Sequence, residues 1–213
     1  MLFRSRHGMT LGELAQLFNA ERGMGVDLRV IRCEGWHRGQ WLDATDIPWV
    51  NPSPNMRSLA AAALYPGVGL IEFCDVSVGR GTATPFEVVG APYVKAEELA
   101  SRLRAERLEG IAWETVRFTP AASKFAGQEC QGVRIRILAR DRIHPCDVGV
   151  ALAKHLHGLY PDRFHVEKME KLLGDAPTLE AIRRGRPGDE FCRLWSKQWD
   201  QFESRRRAHL LYR

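Results

Sequence analysis

The 213-residue sequence lacks a long hydrophobic run: its longest apolar stretch, Leu59 to Tyr65, is far shorter than the roughly 20 residues that a membrane-spanning helix needs. Its five cysteines are scattered and no two have C-x-x-C spacing, which gives no support for a zinc or redox motif. Hydrophobic residues make up 45% and charged residues 27%, as in ordinary globular proteins. The sequence therefore predicts one large domain or two small ones, without a membrane span, a metal or another cofactor.

Charge is unevenly distributed along the chain, whose formal net charge is +5. Residues 1–100 carry 9 Lys+Arg and 11 Asp+Glu, whereas residues 101–213 carry 22 and 15. A basic half can face nucleic acid or another anionic polymer. Because no nucleic-acid-binding motif accompanies it, we favour an arginine-rich solvated surface and expect no nucleic-acid partner, with anionic-polymer binding kept as an alternative. The first residues lack the long apolar run of a secretory signal.

Helix and strand patterns alternate in the first half of the chain. The first helix opens with Thr10-Leu-Gly-Glu13, which has the form of a capping box, and Ser58 is a suitable cap for the second helix. The patterns predict, in order, a helix over 11–21, a strand over 26–33, a helix from Ser58 through Leu64 and a mostly apolar, buried strand over 68–74. This alternation favours an α/β fold.

From about residue 95 the pattern changes to strands followed by helices. Apolar residues from Ala96 to Leu103 predict another helix. The remaining predictions are strands over 111–118 and 133–138 and helices over 147–159, 178–184 and 189–207. Strands followed by a run of helices favour a smaller α+β unit.

The predicted strand over 68–74 leads into Gly79-Arg80-Gly81-Thr82. In open α/β sheets ligands bind at the carboxyl ends of strands. Flanking glycines let the backbone approach a ligand, and the Arg80 guanidinium offers a bidentate fork for a carboxylate or phosphate. The alternative interpretation is a tight turn with a surface arginine.

The segment Trp49-Val-Asn51-Pro-Ser-Pro-Asn55-Met-Arg57 combines amides, a guanidinium and an aromatic ring. Such clusters suit sugars, whose hydroxyls need hydrogen-bond partners and whose apolar ring faces stack on aromatic rings. A rigid turn with self-capping asparagines is an equally weighted alternative.

Several side chains are available for acid/base chemistry. His7 precedes a helix N-terminus, where it can serve as donor, as base or only as a surface residue. Glycoside hydrolysis normally uses two carboxylates, roughly 5 to 9.5 Å apart depending on the stereochemical outcome. The candidate carboxylates are Glu72, Asp75, Glu87, Asp43 and Asp46.

Taken together, these stretches resemble the NamZ-type exo-β-N-acetylmuramidases, bacterial glycoside hydrolases that remove terminal N-acetylmuramic acid from peptidoglycan fragments. The resemblance rests on motifs that follow one another in family order from residue 6 to about residue 164. They are Arg6-His-Gly-Met-Thr-Leu-Gly-Glu-Leu-Ala15, Trp49 through Arg57, Val78-Gly-Arg-Gly-Thr82 with Thr84-Pro-Phe-Glu87, Phe118-Thr-Pro120, Ser123-Lys124 with Gly127 and Cys130, and Leu159-Tyr-Pro-Asp-Arg-Phe164. Cys74, Asp75 and Ala83 depart from the family pattern around the arginine.

The resemblance implies a partial Rossmann-like sheet with flanking helices over residues 1–95, followed by a smaller α+β auxiliary domain over 96–213. It also implies that the chain corresponds to the later part of the family's usual length. Family members are often exported to the periplasm or the extracellular space. An inactive carbohydrate-binding remnant of the same family is the alternative to an active glycosidase.

The resemblance also implies roles for individual side chains. Glu72, Glu87 and His7 are the expected catalytic residues. The substrate is expected to be a peptidoglycan-derived muramic-acid saccharide, and Arg80 or Arg57 is expected to bind its lactyl carboxylate. The expected substrate-binding residues are Trp49, Asn51, Asn55, Arg57, Arg80 and Thr82.

Overall fold

The computed structural model describes residues 7–212, which form seven α-helices and three β-strands. The helices are α1 (Leu11–Glu21), α2 (Leu59–Val68), α3 (Ala96–Ala105), α4 (Pro145–Leu159), α5 (Glu170–Leu173), α6 (Ala176–Arg183) and α7 (Gly188–Arg207). The strands are β1 (Val88–Ala91), β2 (Ile111–Phe118) and β3 (Cys130–Ile137). The described residues fall into two compact units: a small unit, 7–48 with 192–212, and a large unit, 49–191. The fold class is mixed α/β.

Helix α1 of the small unit begins with the predicted capping box. The Thr10 hydroxyl accepts from the Glu13 amide, and the Glu13 carboxylate accepts from the Thr10 amide at 2.7 Å. The buried Glu13 carboxylate also accepts from Arg38 and from the Leu211 amide. Burial by itself raises the pKa of Glu13, but these hydrogen bonds outweigh it and lower the pKa to about 2. The predicted helix over 11–21 is confirmed.

The predicted strand over 26–33 is wrong, because this segment pairs with no strand among the described residues. Its first residue is bonded instead to a side chain: the Asn19 amide donates to the Val26 carbonyl and accepts from the Val26 amide. Val30 lies close to Gly12 of α1. Alternating residues indicate an extended segment, but a ladder also needs a partner strand.

The large unit contains an antiparallel sheet with the strand order β1-β3-β2. Strand β2 confirms the prediction over 111–118, and β3 begins three residues before the predicted strand over 133–138. Strand β1 was not predicted, since four residues are too few to show a periodicity. Helix α3 packs on β2 and β3 through buried residues that include Leu99 and Leu103.

The predicted strand over 68–74 is also wrong. Helix α2 continues through Pro66 to Val68, and residues 69–71 form a 3₁₀ turn. A short, mostly apolar run fits a helix as well as a strand, so its hydrophobic pattern does not distinguish the two. Helices α2 and α4 approach closely at Gly67 and Gly149, where an added Cβ on Gly149 would lie 2.3 Å from the Gly67 carbonyl oxygen.

The three C-terminal helix predictions are confirmed as α4, α6 and α7, with ends that differ by at most two residues. The described part of the chain has no strand before Val88, so the partial Rossmann-like sheet stays a prediction. The division into 1–95 and 96–213 also stays a prediction, and residues on both sides of it lie in the large unit. None of the helices described between residues 7 and 212 has the length and hydropathy of a membrane span.

Candidate functional site

The arginine turn, residues 79–87 of the large unit, has a backbone that few sequences can adopt. Gly79 and Gly81 have φ angles of 78° and 83°, in the left-handed region that favours glycine. Phe86, a bulky residue, also lies in this region, with φ = 64°. The Thr82 hydroxyl donates to the Gly79 carbonyl at 2.7 Å and closes the turn. Thr82, a predicted substrate ligand, therefore has a structural contact that fixes the backbone around Arg80.

The Arg80 guanidinium forms an ion pair with the Glu72 carboxylate through one terminal nitrogen. The side chains are 42% and 19% exposed, so solvent reaches the pair. Glu72 follows the 3₁₀ turn at the end of α2. A guanidinium has five N–H donors, so an arginine that binds one carboxylate can bind a second. The structure therefore brings together a predicted catalytic carboxylate and one of the two arginines predicted to bind the substrate carboxylate.

Tyr65 of α2 also belongs to this group, although the sequence analysis did not single it out. Its ring packs edge-on against Phe86, with ring centroids 4.9 Å apart. Burial raises the pKa of Tyr65, the Glu72 charge adds to this, and Arg80 opposes it. The phenol is thus electrostatically coupled to both members of the ion pair. The sequence signal that could have identified Tyr65 is an aromatic residue directly before Pro66-Gly67.

A second loop, residues 120–127, packs against the arginine turn, and we call it the lysine loop. The Ala121 amide donates to the Gly81 carbonyl at 2.9 Å. An added Cβ on Gly81 would lie 2.4 Å from the Ala122 amide nitrogen, so the two backbones are in direct contact. The Lys124 amine donates to the backbone carbonyl of Glu72 at 3.1 Å. The lysine loop therefore contacts both the arginine turn and Glu72, although these segments are far apart in sequence.

Asp75, three residues after Glu72, is bound by two basic side chains. Its carboxylate contacts Lys168 at 2.6 Å and His165 at 2.7 Å. Burial raises the pKa of Asp75, but the hydrogen bonds from Lys168 and His165 outweigh it and lower the pKa. The neighbouring Cys74 is buried, which raises the pKa of its thiol to about 12. Asp75 is thus held by two side-chain contacts, and Cys74 is buried within the large unit.

Glu87, the second predicted catalytic carboxylate, is bound to the N-terminus of α2. The Ser58 hydroxyl donates to Glu87 at 2.8 Å and accepts from the Ala61 amide at 3.0 Å. Ser58 therefore caps the helix as predicted and links the end of residues 49–57 to the arginine turn. This contact gives Glu87 a structural role, and its catalytic role stays a prediction.

Residues 49–57, the asparagine segment, form mainly local contacts. The Trp49 indole donates to the side-chain oxygen of Asn51 at 2.9 Å, and the Arg57 side chain donates to the Pro54 carbonyl at 3.0 Å. Asn51 and Arg57 are exposed. Between residues 7 and 212, no hydrogen bond or ion pair joins Asn51 or Asn55 to Arg80. The shared pocket and the binding roles of Trp49, Asn51, Asn55 and Arg57 stay predictions.

His7 lies in the small unit. Its ring Nδ1 accepts from the Met9 amide at 3.2 Å, and its carbonyl accepts from Arg206. These contacts fix the turn before α1. The catalytic role of His7 stays a prediction.

Two cavities of the large unit are lined by residues outside the arginine turn, the lysine loop and the asparagine segment. One of about 260 Å³ is lined by Leu103, Arg104, Arg107, Leu108, Ile111, Ala112 and Trp113. The other, of about 190 Å³, is lined by Arg107, Leu108, Glu109, His144, Asp147 and Val148. Residues 7–212 also contain no group of three His, Cys, Asp or Glu side chains arranged to hold a metal ion. The candidate site is therefore defined by the Glu72–Arg80 pair and the loops around it.

The chain belongs to the NamZ family of exo-β-N-acetylmuramidases. The family profile described as "Exo-beta-N-acetylmuramidase NamZ, C-terminal" matches residues 63–212, and the corresponding N-terminal profile matches residues 2–60. Among named relatives, the peptidoglycan beta-N-acetylmuramidase NamZ of Bacillus subtilis (strain 168) is 37% identical over 210 residues. The match covers 97% of this chain and 51% of the relative, so the chain spans about half the length of that curated relative. The resemblance inferred from the sequence motifs is confirmed.

Solved structures of similar fold come from Bacteroides fragilis NCTC 9343. A crystal structure of a DUF1343 family protein superposes with a TM-score of 0.85 at 26% identity, covering 96% of this chain and 56% of the other. A second DUF1343 family protein gives a TM-score of 0.69 at 28% identity, covering 97% of this chain and 56% of the other. The fold of this chain is therefore found in known crystal structures.

Proposed function

We propose that this chain acts on peptidoglycan fragments as a glycoside hydrolase that releases terminal N-acetylmuramic acid. Membership of the NamZ family supports the reaction class. The observation that carries the proposal is the solvent-accessible ion pair between Glu72 and Arg80. N-Acetylmuramic acid differs from the other sugar of the cell wall by a lactyl carboxylate, and a guanidinium is the side chain best suited to bind it.

In this proposal Arg80 binds the lactyl carboxylate through donors that Glu72 leaves free. Glu72 then lies near the sugar as the acid/base or water-orienting group, and Tyr65 lines the same place. Glu87 is the second carboxylate that glycoside hydrolysis normally requires. The asparagine segment supplies amides for the N-acetyl group and the ring hydroxyls. An extracellular or periplasmic location suits a cell-wall substrate.

The test is calorimetric titration of the chain with N-acetylmuramic acid and with N-acetylglucosamine, which lacks the carboxylate. We expect Arg80→Ala to weaken N-acetylmuramic acid binding by about 10- to 100-fold, since a hydrogen bond to a charged group contributes about 1.5–3 kcal/mol. N-Acetylglucosamine binding should change little. Arg184→Ala, which removes an exposed arginine paired with Glu180 on α6, is the matched control. Equal affinity of wild type and Arg80→Ala for N-acetylmuramic acid contradicts the proposal.

A second candidate is carbohydrate binding without catalysis. The observation that favours it is that Glu72 and Glu87 are both bound by other side chains, Arg80 and Ser58. Turnover of a chromogenic N-acetylmuramic acid glycoside separates the candidates. Release of chromophore that is lost in Glu72→Gln supports the hydrolase, whereas binding without turnover supports the binding module.

The Rossmann-like organisation and the division near residue 95 form part of this proposal. Within the small unit, α1 packs against the segment that follows it, where an added Cβ on Gly12 would lie 2.5 Å from Val30.

A further inference from the structure

Lys124 lies at the most strained point of the lysine loop. Its two neighbours, Ser123 and Phe125, are not glycines, yet their φ angles are 70° and 59°. Such backbone is unfavourable for residues with a side chain and persists only where surrounding contacts hold it. The Gly127 amide, which donates to the Pro120 carbonyl at 2.8 Å, closes the loop. The residues on either side of Lys124 therefore do not favour this backbone by themselves, and contacts elsewhere in the large unit hold the lysine in position.

The contacts of the Lys124 amine explain what the loop holds. The amine donates to the backbone carbonyls of Glu72 and Cys74, on either side of Phe73. Both acceptors are backbone groups, so the amine fixes the path of the chain at Glu72. The side chain is half-buried, and burial lowers the pKa of Lys124.

One end of this contact is the residue that pairs with Arg80. Lys124 holds the Glu72 backbone, and the Glu72 side chain binds Arg80. The lysine loop also holds the other partner, since the Ala121 amide bonds the carbonyl of Gly81, next to Arg80. One loop thus sets the positions of both partners in the ion pair.

We propose that Lys124 is a positioning residue that orients the Glu72 carboxylate toward Arg80. Its importance for sugar recognition rests on the proposed function, whereas its effect on the ion pair does not. Lys124 itself need not touch the substrate. Its loss should therefore act through Glu72 and Arg80.

The first measurement needs no ligand: nuclear magnetic resonance of the full chain reports how fast the Arg80 guanidinium protons exchange with water. Glu72→Gln sets the rate for a broken ion pair. We expect Lys124→Met to lose protection to the same extent, while Lys154→Met keeps the wild-type rate. Lys154 is the matched control because it is a 10% exposed lysine of the large unit that binds Glu106 at 2.6 Å.

Protection that stays at the wild-type level in folded Lys124→Met overturns the proposal. If that variant does not fold, Lys124→Gln, whose side chain is shorter and uncharged, is judged by the same criterion. Equal loss of protection in Lys154→Met also overturns it, because the effect would then follow from general destabilisation.

The second measurement is the affinity for N-acetylmuramic acid in a double-mutant cycle. If Lys124 acts through the ion pair, the double variant Lys124→Met/Arg80→Ala binds no more weakly than Arg80→Ala alone. Losses that add show that Lys124 acts elsewhere and overturn the proposal. If the wild-type chain binds no N-acetylmuramic acid, the proposed function fails. Positioning is then decided by the exchange measurement alone.

Discussion

The arginine turn and the asparagine segment both belong to the large unit, but different kinds of contact hold them in place. Gly81 in the arginine turn contacts the lysine loop, and Arg80 binds Glu72, eight residues earlier. The asparagine segment is mostly exposed, and Trp49 bonds only two residues ahead, to Asn51. The first region is fixed by distant parts of the chain, the second by its own local bonds.

The arginine turn is therefore held in place before a ligand binds, whereas the exposed side chains of the asparagine segment can still change conformation on binding. A site whose groups are held in place binds without an ordering cost, whereas exposed side chains must be ordered on binding. We therefore expect changes in the arginine turn to alter stability and binding together. Changes in the asparagine segment should alter binding alone.

The largest expected effect comes from Gly81→Ala. Its Cβ would lie 2.4 Å from the Ala122 amide nitrogen, and its φ of 83° is unfavourable for alanine. We expect a loss of about 3 kcal/mol or more in the free energy of unfolding, measured with urea, because the backbones must separate. Gly127→Ala is the matched control, with a φ of 73° and no atom within 4 Å of its Cβ. It should cost about 1 kcal/mol from backbone strain alone. Equal losses at both positions would show that the contact with the lysine loop is not tight.

A smaller effect concerns the acid limb of the stability profile. The pKa of Asp75 is lower in the folded protein than its ordinary value of 3.8, so its charged form stabilises the fold above that pH. This stabilisation is lost as the pH falls below 3.8 toward the folded-state pKa. Asp75→Asn should therefore cost roughly 1 kcal/mol at pH 7, as is typical of a partly exposed ion pair, and less at pH 3.

Urea unfolding at both pH values checks this prediction. Asp162→Asn, at an exposed aspartate of the same unit, serves as the control. A cost for Asp75→Asn that is equal at pH 3 and pH 7 would mean that the contacts with Lys168 and His165 do not depend on the Asp75 charge.

The comparison also explains how much the sequence could predict. Local signals gave correct predictions of helix starts: the Thr10–Glu13 capping box predicted the start of α1, and the Ser58 cap predicted the start of α2. They failed over 68–74, where the chain is mostly apolar and its pattern fits either type of element. Alternation over 26–33 predicted a strand but gave no information on whether a partner strand exists.

For the candidate site, the limit is separation along the chain. The glycines around Arg80 predicted a turn whose backbone can approach a ligand, whereas in the structure the backbone of Gly81 contacts the lysine loop. The contact from Lys124 to Glu72 spans 52 residues, and the contact from Lys168 to Asp75 spans 93. No local pattern encodes such pairs, because they follow from how α2, the sheet and the later helices pack together.

The smallest expected effect on stability comes from Asn51→Ala in the asparagine segment. Asn51 is exposed and bonds Trp49 alone among the contacts found between residues 7 and 212, so the free energy of unfolding should change by less than about 0.5 kcal/mol. If the segment binds the sugar as proposed, affinity for N-acetylmuramic acid should still fall by roughly five- to tenfold, the contribution of about one hydrogen bond. Gln128→Ala, at an exposed amide of the same unit, is the control for both measurements. An unchanged affinity in Asn51→Ala would leave the arginine turn as the sugar site and reduce the asparagine segment to a rigid turn.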